Sequence, residues 1–351
     1  MSVTVVVCNY NGKQHLPHCL GALRELKGDI AEVLVVDNAS TDGSCALIEE
    51  SYPEVRLIAR EDNPGPPRAR NLGLEEARTR WVLAIDNDAI LPPDTLLELL
   101  AAAEQTGAVL VQPRSVFADD TSRVHYDGGW FHFAGLISLR NFYVPLREAE
   151  GQGRVEVDCA ISMCLLMNRE RVLEFGGYDE GYFILFEDLD LSYRLRMAGE
   201  RIVSVENVVV EHRAGTPGVS FREGAHYPSS RVFLHSRNRW QLLFKCWSAR
   251  ALILASPGLV VYEAASLAFA IRHGHLGSWL RGKWAFLERL PALFRARHAV
   301  QRTRCLRDRE LLVAGPLTVT PDAAAGGTGQ RALAWLNSSL TCWWKLVSRF
   351  A

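Results

Sequence analysis

The sequence predicts an α/β fold, a mainly parallel sheet flanked by helices, followed by a C-terminal helical extension. Three observations predict it. Over roughly the first 100 residues, short β-branched runs alternate with helical stretches, the pattern of successive βαβ units. Asp37, Asp86 and Asp88 fall at the carboxyl ends of these runs, where ligands gather in parallel sheets. Beyond Arg231 the chain changes to long helical runs rich in Trp and Arg.

The elements follow in order. Val3–Cys8 is a strand, Asn9-Tyr10-Asn11-Gly12 a loop, and about Gln14 to Leu26 a helix. Glu32–Val36 is a strand closed by Asp37, and a helix to about Glu50 follows the Asn38–Gly43 loop. Val55–Ala59 is a third strand, Arg68–Ala77 a helix and Trp81–Ile85 a fourth strand. Gln112–Gly153 is less regular. Val155–Met167 reads as one further strand, leading into a short helix capped by Asn168 and closed by Gly176-Gly177. A helix to Met197 stops at Gly199, and Ile202–Glu211 is a last strand ending at His212. Ala251–Ile271 has 21 residues without Lys or Arg, just enough to span a bilayer, but Pro257, Gly258 and Glu263 interrupt it. It either spans or belongs to an amphipathic pair lying on a membrane or on the protein body. The following mixture of Trp279, Arg281, Lys283, Trp284, Phe286 and Leu287 is interfacial in composition. Pro316–Gln330 reads as a loose linker and Ala332–Phe350 as a Trp-rich helix. The domains expected are 1–240, 241–312 and 313–351.

Composition narrows the class. A chain of 351 residues with 48% apolar and 23% charged residues buries a full core, which excludes wholesale disorder. The net charge of −1 is uneven: Lys245 to Glu310 carries twelve Lys/Arg against four Asp/Glu, the remainder 27 against 36. Coupled to apolar runs, that basic segment suits a membrane surface rather than nucleic acid. Eight cysteines form no CxxC and no Cys/His cluster, so a reducing compartment without structural zinc or disulfides is expected. Met1–Val7 reads as a strand, not a signal peptide.

Four clusters carry the chemistry. Asp86-Asn87-Asp88 ends an apolar strand with two carboxylates two residues apart, which point to one side and suit Mg²⁺ or Mn²⁺ shared with a substrate phosphate. Turns after strands are also rich in Asp and Asn, so the triplet gains weight only from its company. Asp37 suits a nucleobase imide or a ribose hydroxyl, and its loop equally suits helix capping by Ser40 or Thr41. Asn63-Pro64-Gly65 opens a helix carrying Arg68 and Arg70, a setting for diphosphate or simply a rigid loop with solvated arginines. Glu187-Asp188 follows an aromatic wall, Phe183–Phe186, where burial raises a carboxyl toward a usable base; on a solvated helix start the pair only favours the dipole. His212 is a third metal ligand, a phosphate contact or a satisfied half-buried imidazole.

Taken in order, these clusters resemble the family 2 glycosyltransferases of the GT-A fold, in particular non-processive, rhamnosyltransferase-like members that build bacterial surface polysaccharides. Matching segments are Val3–Gly12, Val33–Gly43, Asn63–Gly73, Asp86–Asp88, Gly176–Phe183, Phe186–Arg196 and His212, over roughly the first 240 residues. The resemblance implies a catalytic domain over 1–240 and inverting transfer from a UDP-, dTDP- or GDP-sugar to a glycan or lipid-linked acceptor. It assigns Asp188 as base with Glu187 beside it, and Asn9, Tyr10, Asp37, Asn63, Arg70 and Asp86 to the donor nucleotide. Asp86, Asp88 and His212 would hold Mn²⁺ or Mg²⁺. It places the enzyme in the cytoplasm at the inner membrane face, peripheral or single-span. Pro66-Pro67 and Arg78-Thr79 depart from the family pattern, but neither touches a carboxylate. Ser236-Arg237-Asn238-Arg239-Trp240 is only half the signature of processive synthases, and there is no array of spanning helices, which excludes a polymer-extruding synthase. The competing readings are a sugar nucleotidyltransferase, which needs a better Gly-rich, Lys-containing loop than Asn9–Lys13, and a non-catalytic scaffold, which would have lost Asp188 or the metal pair.

Overall fold

The computed structural model describes residues 1–151, 153–213, 227–319 and 327–351. In chain order the elements are β1 (Val3–Asn9), α1 (Leu16–Arg24), β2 (Ile30–Asp37), α2 (Ser44–Ser51), β3 (Val55–Ala59), α3 (Pro66–Glu76), β4 (Trp81–Asp86) and β5 (Ala89–Ile90). Then come α4 (Thr95–Thr106), β6 (Leu110–Phe117), β7 (Asp120–Tyr126), β8 (Gly129–His132), β9 (Leu136–Leu139), β10 (Arg154–Val157), β11 (Cys164–Asn168), α5 (Arg169–Glu174), α6 (Glu187–Met197) and β12 (Ile202–His212). The last are α7 (Ser229–Cys246), α8 (Ala249–Arg272), α9 (Leu276–Glu288), α10 (Leu290–Arg302), α11 (Asp308–Leu311), β13 (Leu312–Val313) and α12 (Gly327–Val347). The described residues form two compact units: those of 1–128, 140–195 and 200–213, and those of 129–139, 196–199 and 227–351.

The first unit is a ten-stranded sheet in the order β10-β12-β6-β11-β4-β1-β2-β3, with β5 on β12 and β7 on β6. β4, β1, β2 and β3 run parallel, as do β6 and β12, while β11 is antiparallel to both β4 and β6. Alternation along the central strands feeds two cores. Val3, Val5, Val7, Leu83 and Ile85 face one side with α1 and α4; Val6, Val82 and Ala84 face the other with α3 and α6. Both faces are covered by helices, which is why these strands read as unbroken apolar runs. Gly73 of α3 lies so close to the sheet that a Cβ there would sit 2.2 Å from Val6 Cγ1.

The expected single strand Val155–Met167 is two strands. β10 pairs with β12 at the sheet edge, and β11 lies between β4 and β6. Between them the backbone bonds to side chains instead of to a ladder. Ala160 N–H donates to Ser192 Oγ (3.2 Å) and Ile161 N–H to Gln112 Oε1 (3.0 Å). The irregular stretch Gln112–Gly153 contains most of β6 together with β7, β8 and β9, short strands joined by Gly and Asp turns.

The second unit packs α7–α12 with the small sheet β13-β8-β9. Phe133 stacks on Trp344 of α12 (ring centroids 4.7 Å), and Trp247 Nε1 donates to Phe133 O (3.1 Å). Buried Arg239 of α7 donates to Ala134 O (2.7 Å) and pairs with Glu263 of α8, which Lys283 of α9 also reaches at 2.9 Å. Among the described residues α8 alone is long and apolar enough to cross a membrane. Of the expected linker Pro316–Gln330, residues 320–326 lie outside the described residues and 327–330 belong to α12.

Gly73→Ala is expected to cost ~1–3 kcal/mol of stability by overpacking, and less in a Val6→Ala background; urea unfolding of the four variants measures this coupling.

Candidate functional site

The site lies at the carboxyl ends of β1, β2 and β4, and hydrogen bonds join the three. Asp37, fully buried at the end of β2, accepts from Asn9 Nδ2 (2.6 Å) and from Ser40 N–H (2.8 Å). Asn9 Oδ1 in turn accepts from Asn87 Nδ2 (2.5 Å), inside the acidic triplet. Asn11 N–H donates to Ser40 Oγ (2.7 Å), closing the β1 loop on the β2 loop and leaving Tyr10 exposed. Neither Ser40 nor Thr41 caps α2, whose N-cap is Gly43, because Ser40 N–H is turned onto Asp37; Asp37 instead anchors its own turn beside Asn9.

The Asn63–Gly65 loop is held by Asn63 itself, whose Oδ1 accepts from Gly65 N–H (3.0 Å). Gly65 has φ +96°, and a Cβ there would meet Phe183 O at 2.2 Å, so glycine is required on both counts. Of the two arginines on α3, Arg68 is partly exposed and pairs with Glu75 and Glu180 at 3.1 and 3.3 Å. Arg70 is buried instead. It donates to Asp86 Oδ1 (2.8 Å) and approaches Glu187 Oε1 (3.5 Å), so it ties β4 to α6.

Asp88 and His212 meet because of a two-residue strand. β5 pairs antiparallel with the end of β12, placing His212 opposite Ala89, and His212 Nε2 lies 3.3 Å from Asp88 Oδ2. Ligand atoms of Asp86, Asp88 and His212 all lie within 4.8 Å of one another. The other imidazole nitrogen of His212, Nδ1, sits 3.2 Å from His125 Nδ1 on β7, which orients the ring from behind. Desolvation pushes the Asp86 carboxyl above its ordinary range, Arg70 pulls it back and Asp88 pushes it up again. Two hard carboxylates and an imidazole converging in this way fit Mn²⁺ or Mg²⁺. The hydrogen-bonding also leaves room for a ligand: among the described residues Arg70 Nε and Nη1 and Glu187 Oε2 are buried without a hydrogen bond.

A strained turn delivers the acid pair. Phe183, Leu185 and Phe186 have φ of 66°, 67° and 75°, conformations that non-glycine residues hold only under local constraint. α6 starts immediately after, with Glu187 buried against Arg70 and Asp188 half-buried. Burial and then Asp188 push Glu187 up to about 8, against the pull of Arg70. Asp188 Oδ1 accepts from Ser162 Oγ, and Ser162 lies 2.5 Å from the Tyr178 hydroxyl. The structure thus brings Asp86, Asp88 and His212 into one cluster, Asn9 and Asp37 into a second, and Arg70, Glu187 and Asp188 around α6. Sequence reasoning assigned no role to Asn87 and Tyr178, although both lie inside segments it singled out, and it missed His125 and Ser162, which contact the predicted residues from segments without a motif of their own.

A mainly parallel sheet with an acidic cluster at its strand ends is the GT-A architecture, and solved GT-A structures resemble this chain. GalNAc-T7, crystallised with UDP, GalNAc and Mn²⁺, superposes with a TM-score of 0.59 at 16% identity, over 83% of this chain and 57% of its own. Staphylococcus aureus TarS 1–349 in complex with UDP gives 0.50 at 14% identity, over 86% and 88%. Residues 4–172, just under half of the chain, match the model of glycosyl transferase family 2. A Mycobacterium tuberculosis N-acetylglucosaminyl-diphospho-decaprenol L-rhamnosyltransferase is 29% identical over 286 residues, 73% of this chain and 92% of that protein. The low-salt glycan biosynthesis hexosyltransferase Agl10 of Haloferax volcanii is 20% identical over 85% of this chain and 91% of its own. Glycosyl transfer is the activity, and neither the nucleotidyltransferase nor the scaffold reading is favoured.

The raised Glu187 has a consequence for stability in the metal-free protein. Below pH 4.5 the group is protonated both folded and unfolded; between 4.5 and about 8 only the unfolded chain releases the proton. Stability therefore falls across that window and levels off above it. Relative to Glu187→Gln, the wild-type melting temperature is expected to drop steadily over the same range, as read by circular dichroism in matched buffers.

Proposed function

We propose that the chain is an inverting, divalent-cation-dependent transferase that moves a sugar from a nucleoside diphosphate donor to a lipid-linked or glycan acceptor at the cytoplasmic membrane face. The convergence of Asp86, Asp88 and His212 at the end of β4 carries this reading. Those three would hold Mn²⁺ or Mg²⁺, which when bound neutralises charge developing on a leaving diphosphate. Asn9, Tyr10 and the turn anchored by Asp37 line the nucleotide side, while Asn63 holds the shape of the loop before α3. Arg70 positions Asp86 and Glu187 and brings its unused donors to the same region.

Asp188 is the base. Its carboxylate takes the proton of the acceptor hydroxyl as that oxygen attacks the anomeric carbon from the face opposite the leaving group, and a single displacement inverts the configuration. Glu187, held largely protonated, keeps a second negative charge away from that oxygen and shapes the acceptor side. The lipid-diphosphate acceptor in the name of the Mycobacterium relative, together with the basic and apolar second unit, supports a lipid-linked acceptor and a peripheral membrane location.

A panel of UDP-, dTDP- and GDP-sugars assayed with Mn²⁺ or Mg²⁺ tests this. Release of one nucleoside diphosphate is expected only with cation. Asp188→Asn should lower turnover by ~10²–10⁴-fold while leaving nucleotide affinity intact. In contrast, Asp88→Ala should abolish the cation dependence of nucleotide binding in calorimetry. Pyrophosphate as product, or cation-independent transfer, would overturn the reading.

A further inference from the structure

We propose that α9 docks the second unit flat on a bilayer surface containing anionic phospholipid, with Leu276, Leu280, Trp284 and Leu287 as the inserted residues. The proposal deepens the peripheral location above and depends on no catalytic assignment. α9 presents two faces. Toward α7 and α8 lie buried Ser278 and Gly282 with half-buried Trp279 and Phe286, and a Cβ on Gly282 would lie 2.6 Å from Phe233 O of α7. Four other large residues face outward at positions i, i+4, i+8 and i+11: Leu276 40%, Leu280 52%, Trp284 65% and Leu287 50% exposed. Spacing of this kind makes one stripe along a helix. Phe294 of α10 is 60% exposed as well.

Charge selects the occupant. Between Leu276 and Arg302 there are six Lys/Arg and a single acid, Glu288. Arg281, Arg295 and Arg302 are exposed. An apolar stripe beside cations matches the acyl and headgroup layers of an anionic bilayer. Spanning by α8 is the weaker alternative, because Glu263 at its middle is paired with Arg239 and Lys283 and Gly258 packs on Phe133.

Co-sedimentation of the full chain with phosphatidylcholine vesicles, with and without phosphatidylglycerol, tests this. Binding is expected only with phosphatidylglycerol, weakened by salt and released by alkaline extraction. Leu280→Glu and Trp284→Glu should each weaken it about tenfold or more, with the helical spectrum and donor hydrolysis unchanged. Vesicle binding unaffected by both substitutions, no binding by the wild type, resistance to alkaline extraction, or a dimer that Trp284→Glu dissociates would each overturn it.

A separate observation concerns the chemistry and rests on Asp188 being the base. The geometry points to Ser162 and Tyr178 as positioning residues that fix the Asp188 carboxylate. Ser162 Oγ–H donates to Asp188 Oδ1; with the one serine proton so used, the Tyr178 phenol 2.5 Å away is the donor to Ser162, a stronger acceptor than Met167 Sδ, which the same hydroxyl reaches at 3.5 Å. Both relay residues are buried, whereas Asp188 is half-buried. Burial holds the Tyr178 phenol protonated, far above its ordinary range, so it remains a donor. The relay leaves Asp188 Oδ2 for the acceptor proton.

Ser162→Ala is expected to lower kcat about tenfold or more, the worth of one hydrogen bond to a charged group, with donor KM unchanged. The shape-conserving Tyr178→Phe should cost less. In an Asp188→Asn background neither substitution should lower kcat further, because both act through that carboxylate. Equal losses in both backgrounds, or a loss confined to KM, would overturn the relay. Full activity of Asp188→Asn alone would instead remove the base assignment.

Discussion

The buried Arg70 is the interaction on which the catalytic unit depends. One guanidinium from α3 reaches Asp86 at the end of β4 and Glu187 at the start of α6. Without it, the Asp86 carboxylate would lose its counter-charge in a poorly solvated space, and α3 would lose its ties to β4 and α6. With it, the strand end and the acid pair share one frame. Gly73, one turn along the same helix, sets how closely α3 approaches β1 and therefore where the guanidinium can reach. Packing at a glycine and electrostatics at an arginine are thus parts of one arrangement.

Around that frame the roles divide by burial. Asp37 and Glu187 are enclosed and act on their surroundings, one by pinning a turn, the other by staying uncharged. Asp86 and Asp188 keep access to solvent. His212 joins from the far side of the sheet with its ring steadied by His125. The site forms where β1, β2 and β4 end and α3 and α6 begin, with β12 and β7 bringing His212 and His125, the side of an α/β sheet at which ligands gather.

The second unit follows different physics. Its interior is aromatic and ionic, with Phe133 stacked on Trp344 and Arg239 neutralised by Glu263. Its helices leave large apolar residues outside, Ile253, Trp284 and Phe294 among them.

Much was legible in the sequence because it is local. Strands β1–β4 and their helices followed from alternating runs, and the acidic strand ends followed from where those runs stop. The family resemblance pointed to the same carboxylates and to His212. What the tertiary structure decided is contact between segments far apart in the chain. Val155–Met167 reads as one strand because apolar residues recur along it between Glu156, Asp158 and Ser162; in the fold the backbone between its halves bonds to Gln112 and Ser192 instead of to a ladder. Arg70 reads as a diphosphate contact or a solvated arginine; only the fold buries it between Asp86 and Glu187. His212 meets Asp88 through a strand of two residues, too short to leave a periodic signal. Ser162 carries no motif and Tyr178, though inside the Gly176–Phe183 segment, carries no assigned role, since a hydroxyl gains one only from the carboxylate the fold sets beside it. Sequence determined which groups are present and on which elements; long-range packing determined their partners, because hydrogen bonds and charges act over a few ångströms that only the folded chain defines.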